Sequence, residues 1–151
     1  MDNTPAINIL NDILRHEWTG VAQYAQAGFV VSGLWREVYS KMFFESAEES
    51  FGHAKQIGDK IVSLNGVPTV ERNPIKQTND IGEMLENALE FESKAVQLYT
   101  EALEVCSGDR ALVVLLEDIL LEEQEGVDHI SKLLRDHAAS GAAAGSATKA
   151  G

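Results

Sequence analysis

Three glutamates, Glu17, Glu92 and Glu123, fall among apolar residues when their segments are phased at about 100° per residue. A histidine, His53, stands at the edge of a fourth such face. A carboxylate in an apolar core is strongly disfavoured unless a cation or hydrogen-bond donors compensate it. Carboxylates and an imidazole converging from several helices make the oxygen and nitrogen donor set that suits iron, manganese or zinc. Metal binding is therefore the chemistry these residues point to.

The elements that must carry them read as four helices. Thr4-Pro5 is a helix start, with proline tolerated in the first turn. A first helix is expected from about Pro5 to Ser32, broken at Gly33, and a second from Leu34 to Leu64. Asn65-Gly66-Val67-Pro68 stops the second helix. The stretch to Asn79 has few periodic apolar positions and reads as a long crossover. Asn79 or Asp80 caps a third helix running to about Cys106. Ser107-Gly108-Asp109 is a short turn, and a fourth helix runs from Asp109 to about His137. Residues 1–138 are expected to form one all-α domain, and the Gly/Ala/Ser-rich segment 139–151 a flexible tail outside it. Two antiparallel helical hairpins joined by a long crossover describe a ferritin-like four-helix bundle.

The inward stripes select among the acidic residues. Helix one turns Leu10, Leu14, Val21, Tyr24 and Gly28 inward, with Glu17 inside the stripe and His16 outside it, at the surface. Helix two turns Phe43, Ala47, Ser50, Ala54, Ile57 and Ile61 inward. Helix three centres on Leu85, Ala88, Glu92, Ala95 and Tyr99, with Glu90 and Glu101 pointing away. Helix four turns Leu112, Leu116, Ile119, Glu123, Gly126 and Ile130 inward. Glu49/His53 and Glu125/His129 have the spacing of one helix face. Phase nevertheless places Glu49 and Glu125 off the core, so these pairs read as surface charge pairs.

The totals narrow the function. The 151 residues carry a formal charge of -12, and the isoelectric point is 4.6. So acidic a surface repels phosphate backbones and attracts cations, which disfavours nucleic acid binding. The single cysteine, Cys106, excludes an internal disulfide and any Cys-x-x-Cys motif, and sits on an apolar face as a small core residue. The N-terminus lacks a basic-plus-apolar leader, and no apolar run reaches spanning length. No membrane partner and a cytoplasmic location are expected.

Five pieces of the chain carry a family resemblance: Glu17 to Tyr24 (EWTGVAQY), His53-Ala54, Leu64 to Pro68, Glu92 to Ala102 (ESKAVQLYTEA) and Ile119 to Ile130 (ILLEEQEGVDHI). In their order and spacing, from about Ile7 to Leu134, the sequence resembles the bacterioferritins within the wider ferritin-like family. The resemblance implies a dimetal site built from a glutamate on each of two helices and a Glu-x-x-His unit on each of the other two. Glu17 and Glu92 match the lone glutamates, His53 the first histidine and Glu123 the second unit's glutamate. Ser50 stands where the first unit's glutamate belongs, and Gly126 where the second histidine belongs. The resemblance thus implies an incomplete, asymmetric site. One position keeps Glu17, His53 and the shared Glu123; the other keeps only Glu92 and Glu123.

The implied activity is oxidation of Fe(II) by dioxygen or peroxide with iron storage, in a homo-oligomer of at least two chains. Phe51 occupies the family's haem-ligating methionine position, so no haem is expected. Met42 and Met84 read as core packing. Two other readings remain: a rubrerythrin-like peroxide or oxygen reductase, and a degenerate bundle serving as a structural or co-assembling subunit. In the last, the inward glutamates would persist by protonation or by hydrogen bonds to Tyr24 and Tyr99.

Overall fold

The structure is a computed structural model that describes residues 2–150, with side chains as far as Ser140. Its elements are α1 (Thr4–Val30), α2 (Arg36–Ser63), α3 (Ile81–Val105) and α4 (Arg110–Ala150), with no strand among the described residues. The expected all-α bundle is therefore observed. None of these helices is long and apolar enough to cross a membrane.

Boundaries move where local chemistry overrides pattern. The residue flanking α1 is Asn3, not Thr4, and its side chain makes no capping bond. The Asp2 carboxylate instead accepts the Thr4 N–H at 2.9 Å, so helical geometry begins one residue early. Leu34 lies in the turn before α2. Asn65, at φ 66°, and Gly66 close α2: Asn65 N–H reaches the Val62 carbonyl and Gly66 N–H the Ile61 carbonyl. Asp80 caps α3 as expected, accepting the Glu83 N–H at 2.9 Å. Helix α4 continues beyond the expected end near His137, with Ala138, Ala139 and Ser140 helical and exposed. Alanine is the strongest helix former, and no proline interrupts the segment. From residue 141 onward only the backbone is described, and it continues α4 to Ala150.

Contacts fix the directions. Ser40 donates to the Gly28 carbonyl, and Gly66 lies against Ile7, so α1 and α2 are antiparallel. Tyr99 meets Glu17 and Tyr24 meets Glu92, so α1 and α3 are antiparallel too. Helices α2 and α3 consequently run parallel, which requires the connection between them to travel the length of the bundle. That connection is strapped along α1. Asn11 pairs with Val67 and Thr69, Trp18 donates to the Thr69 carbonyl, Thr19 accepts from Asn73, and Gln23 accepts from Lys76.

Two apolar clusters fill the interior. One contains Leu10, Leu14, Ile57, Ile61, Tyr99 and Leu116. The other contains Tyr24, Phe43, Leu85, Phe91 and Ile130, with Met84 buried and Met42 packed against it. Cys106 is buried in the first, as its apolar face predicts. Between the clusters lies one polar layer: Glu17, Ser50, His53, Glu92 and Glu123.

Candidate metal centre

Each helix contributes to that layer from its middle, where end fraying is least. Glu17 is 0%, Glu123 2%, His53 3% and Glu92 7% exposed, so all four predicted residues are interior. His53, expected at the edge of its stripe, is fully enclosed because α4 packs against its ring. Its Nδ1 is 2.9 Å from Glu123 Oε1 and 3.7 Å from Glu17 Oε2. The donor atoms of Glu17, His53 and Glu123 all lie within 4.8 Å of one another. Glu92 approaches from α3 and accepts a 2.5 Å hydrogen bond from the Tyr24 hydroxyl on Oε1. Tyr99 donates to Glu17 Oε1 at 3.1 Å.

Both tyrosines thus satisfy one oxygen of a buried carboxylate. The other oxygens, Glu17 Oε2 and Glu92 Oε2, are buried with no hydrogen-bond partner. A buried orphan acceptor is a persistent penalty that a bound cation removes.

The electrostatics report charge held without a metal. Desolvation pulls the His53 imidazolium down, but the Glu123 hydrogen bond and the negative charges of Glu17 and Glu123 prevail and push it up to about 11. Both ring nitrogens face carboxylates, since Nε2 is 2.5 Å from Glu122 Oε2. Desolvation, then Glu123, pushes Glu92 up to about 9. Desolvation, then Glu17, raises Glu123 to about 7. Protons and the imidazolium occupy the role that a divalent ion would take.

Ser50 and Gly126 have different steric consequences. Ser50 is buried, and a Cβ on Gly20 would lie 2.6 Å from its Oγ and 2.4 Å from the Phe91 ring. Gly20 is therefore the residue that lets α1 approach. At Gly126 a Cβ would lie 3.1 Å from Glu92 Oε2. Beside it lies a cleft of about 430 Å³, lined in part by Glu49, Glu92, Glu122 and Gly126.

Two sequence readings need correction or extension. His16 is buried rather than at the surface: it stacks on Phe91 with centroids 4.0 Å apart, and its Nε2 is 2.9 Å from the Phe91 carbonyl. Helix α1 is covered by α2, α3 and the strapped crossover, so its buried arc is wider than its apolar stripe. Desolvation lowers His16 to about 4 and keeps it neutral. Glu122, which phase analysis passed over, contacts His53. Glu49 and Glu125 are exposed, as is His129. Yet Glu49, His53 and Glu122 also bring donor atoms within 4.8 Å of one another. Glu49 is thus off the core but not remote from the centre.

The model of the ferritin-like domain matches residues 7–139. The chain belongs to the ferritin-like family. A bacterioferritin of Rhodobacter capsulatus is 33% identical over 130 residues, covering 82% of this chain and 79% of the relative. One from Mycobacterium leprae is 29% identical over 143 residues, covering 85% and 82%. Among solved structures, a ferritin-like diiron-carboxylate protein of Bacillus anthracis aligns with a TM-score of 0.85 at 30% identity, over 89% of this chain and 99% of its own. The Rhodobacter capsulatus bacterioferritin structure, described with a metal-free dinuclear site and heme iron, aligns at 0.81 and 27% identity, over 89% and 86%. The ferritin-like fold and the iron-binding storage family follow from these matches.

The residues can be tested against a family metal pair. Glu17, His53 and Glu123 fit one position: two carboxylates and an imidazole, with an orphan oxygen already present. The other position does not fit, because Ser50 and Gly126 supply no ligand and only Glu92 and the shared Glu123 remain.

Proposed function

We propose that this chain is a bacterioferritin-like iron protein that takes up Fe(II), oxidises it and retains it, through an asymmetric centre. The observation that carries the reading is the convergence of Glu17, His53 and Glu123 in a buried layer between two apolar clusters. In this reading Glu17, His53 and Glu123 hold one ion, and Glu92 serves a weaker neighbouring position. Iron bound there supplies one-electron redox chemistry towards dioxygen or peroxide.

The side chains have separate tasks. Tyr99 holds Glu17 Oε1 and leaves Oε2 free for the ion. Glu122 accepts from His53 Nε2–H, which fixes the ring and leaves Nδ1 as the ligand atom. Loading releases protons from His53 and Glu123, because both bind metal in their deprotonated forms. The apolar clusters above and below exclude water from Glu17, His53 and Glu123.

Three further parts belong to the proposal. The chain binds no haem: Phe51 is 44% exposed and lies beneath Lys55, offering no ligand atom. It forms a homo-oligomer, consistent with Phe29, Leu34, Trp35 and Val38 exposed around the α1–α2 turn. The functional domain is the bundle of residues 1–138.

Anomalous scattering at the iron edge tests the centre. One well-occupied ion at Glu17, His53 and Glu123 is expected; two equally occupied ions bridged in the family manner would contradict the asymmetry. A second reading, a co-assembling subunit without catalysis, is favoured by His53 already lying beside three carboxylates. Purified chain that binds no iron, zinc or manganese under any loading condition would select it.

A further inference from the structure

His16 is buried yet has no part in the metal centre. It lines a pocket of about 140 Å³ between α1, α3 and the crossover. A carbonyl only accepts, so His16 Nε2–H donates to the Phe91 carbonyl at 2.9 Å, and that bond fixes the ring in the pocket wall. Gln23 reaches the pocket from α1, Asn73 and Lys76 from the crossover, and Asn87 and Lys94 from α3. Much of their donor capacity is unspent. Gln23 Oε1 accepts the Lys76 backbone N–H at 2.9 Å, which leaves the Gln23 NH2 group for another partner. Asn73 bonds through its backbone, to Thr19 and Arg72. Lys76 Nζ lies 2.6 Å from Glu90, while Lys94 enters no ion pair among the described residues. The pocket therefore carries two ammonium groups to one carboxylate.

A concave site rich in donors and locally positive selects an anion. The chain as a whole carries -12, which repels a polyanion. Screening limits that field to about 8 Å at physiological salt, so a small ion inside the pocket responds mainly to the lysines beside it. We propose that this pocket is a site for a small free oxyanion of the phosphate type, with Lys94 and Lys76 supplying charge and the Gln23, Asn73 and Asn87 amides supplying direction. The volume admits one tetrahedral oxyanion with some of its waters, but not a nucleic acid strand or a lipid surface. Bound there, the ion joins α1, α3 and the crossover, reinforcing the backbone contacts that Thr19 and Gln23 already make to the crossover. The site shares no residue with the metal centre and does not rest on the iron reading.

Inorganic phosphate is the probe, titrated calorimetrically into the metal-free full chain in chloride buffer at fixed ionic strength, so that no bound metal can hold the anion. One saturable equivalent is expected, with shifts of the Asn73 and Lys76 backbone amide signals in nuclear magnetic resonance spectra. Lys94→Gln should weaken binding about tenfold, the loss of one charge-assisted hydrogen bond. Lys94→Gln with Lys76→Gln should abolish it. Both lysines are exposed, so these variants keep the fold, which an unchanged circular dichroism spectrum checks. Asn87→Leu removes donors without changing charge and should also weaken binding several-fold. Absence of saturable binding overturns the site, as does binding that survives the double lysine variant. Full affinity in Asn87→Leu together with amide shifts spread over the surface means diffuse attraction to lysines, and overturns it as well.

Discussion

The two halves of the polar layer differ in how they close. The half built on Glu17, His53 and Glu123 is sealed: each residue is buried, and Tyr99 holds Glu17 in place. The half built on Glu92 is open: Tyr24 holds one oxygen, and the other faces the cleft over Gly126. Each half carries a small residue, Ser50 or Gly126, but the outcomes are opposite. At Ser50 the close approach of Gly20 and Phe91 fills the space, while beside Gly126 a cleft stays open. A small residue in the layer therefore leaves either a packed core or an accessible cleft, depending on what the neighbouring helix brings in.

The largest effect that would break this comparison is at the residue both halves share. Glu123→Ala should remove metal binding from the core position, with affinity falling more than about 100-fold, beyond the range seen when only supporting residues are lost. Unchanged metal stoichiometry by elemental analysis would end the shared-ligand role.

Glu17→Gln and Glu92→Gln then separate the halves. The first should abolish the core ion, and the second should leave it in place. Without metal, Glu92→Gln should hardly change stability at neutral pH, because Glu92, pushed up to about 9, is already protonated there. Calorimetric titration of both variants with Mn(II) reads the contrast; equal losses would mean the layer is symmetric after all.

Packing gives a smaller effect. Gly20→Ala should destabilise the bundle by about 1–3 kcal/mol, since a Cβ there meets Phe91 and Ser50 and forces them to move. Urea unfolding measures this, and a neutral result would show that the Ser50 side is looser than its contacts imply.

The mildest test is pH. Glu92 and Glu123 ordinarily titrate at 4.5 and are raised in the fold to about 9 and about 7. His53 is likewise raised, from 6.5 to about 11. All three bind protons more tightly when folded. Their contribution to metal-free stability is fully present below pH 4.5 and declines as pH rises through 7 and 9. Metal-free protein should thus lose stability between pH 6 and 9, and saturating Mn(II) should reduce or reverse that loss. A flat urea midpoint across this range without metal would mean these side chains are solvated rather than held in a dry layer.

The phase of the apolar residues was enough to predict the four helices, the crossover and the inward placement of Glu17, Glu92 and Glu123. The reason is periodicity: in a helix that packs mainly through one face, a residue's angle reports its environment. The resemblance adds the expectation, by order alone, that Ser50 and Gly126 stand at ligand positions. His16 and Glu122 were not legible. His16 is off its stripe but is covered by α3, and Glu122 lies about 100° around the helix from Glu123 yet reaches His53 on α2. Contacts between helices depend on how two axes sit side by side, which a single helix's period does not encode. The amino-acid sequence thus determined which side chains enter the bundle. Only the tertiary structure decided that the gap at Ser50 is packed shut while the gap at Gly126 opens into a carboxylate-lined cleft.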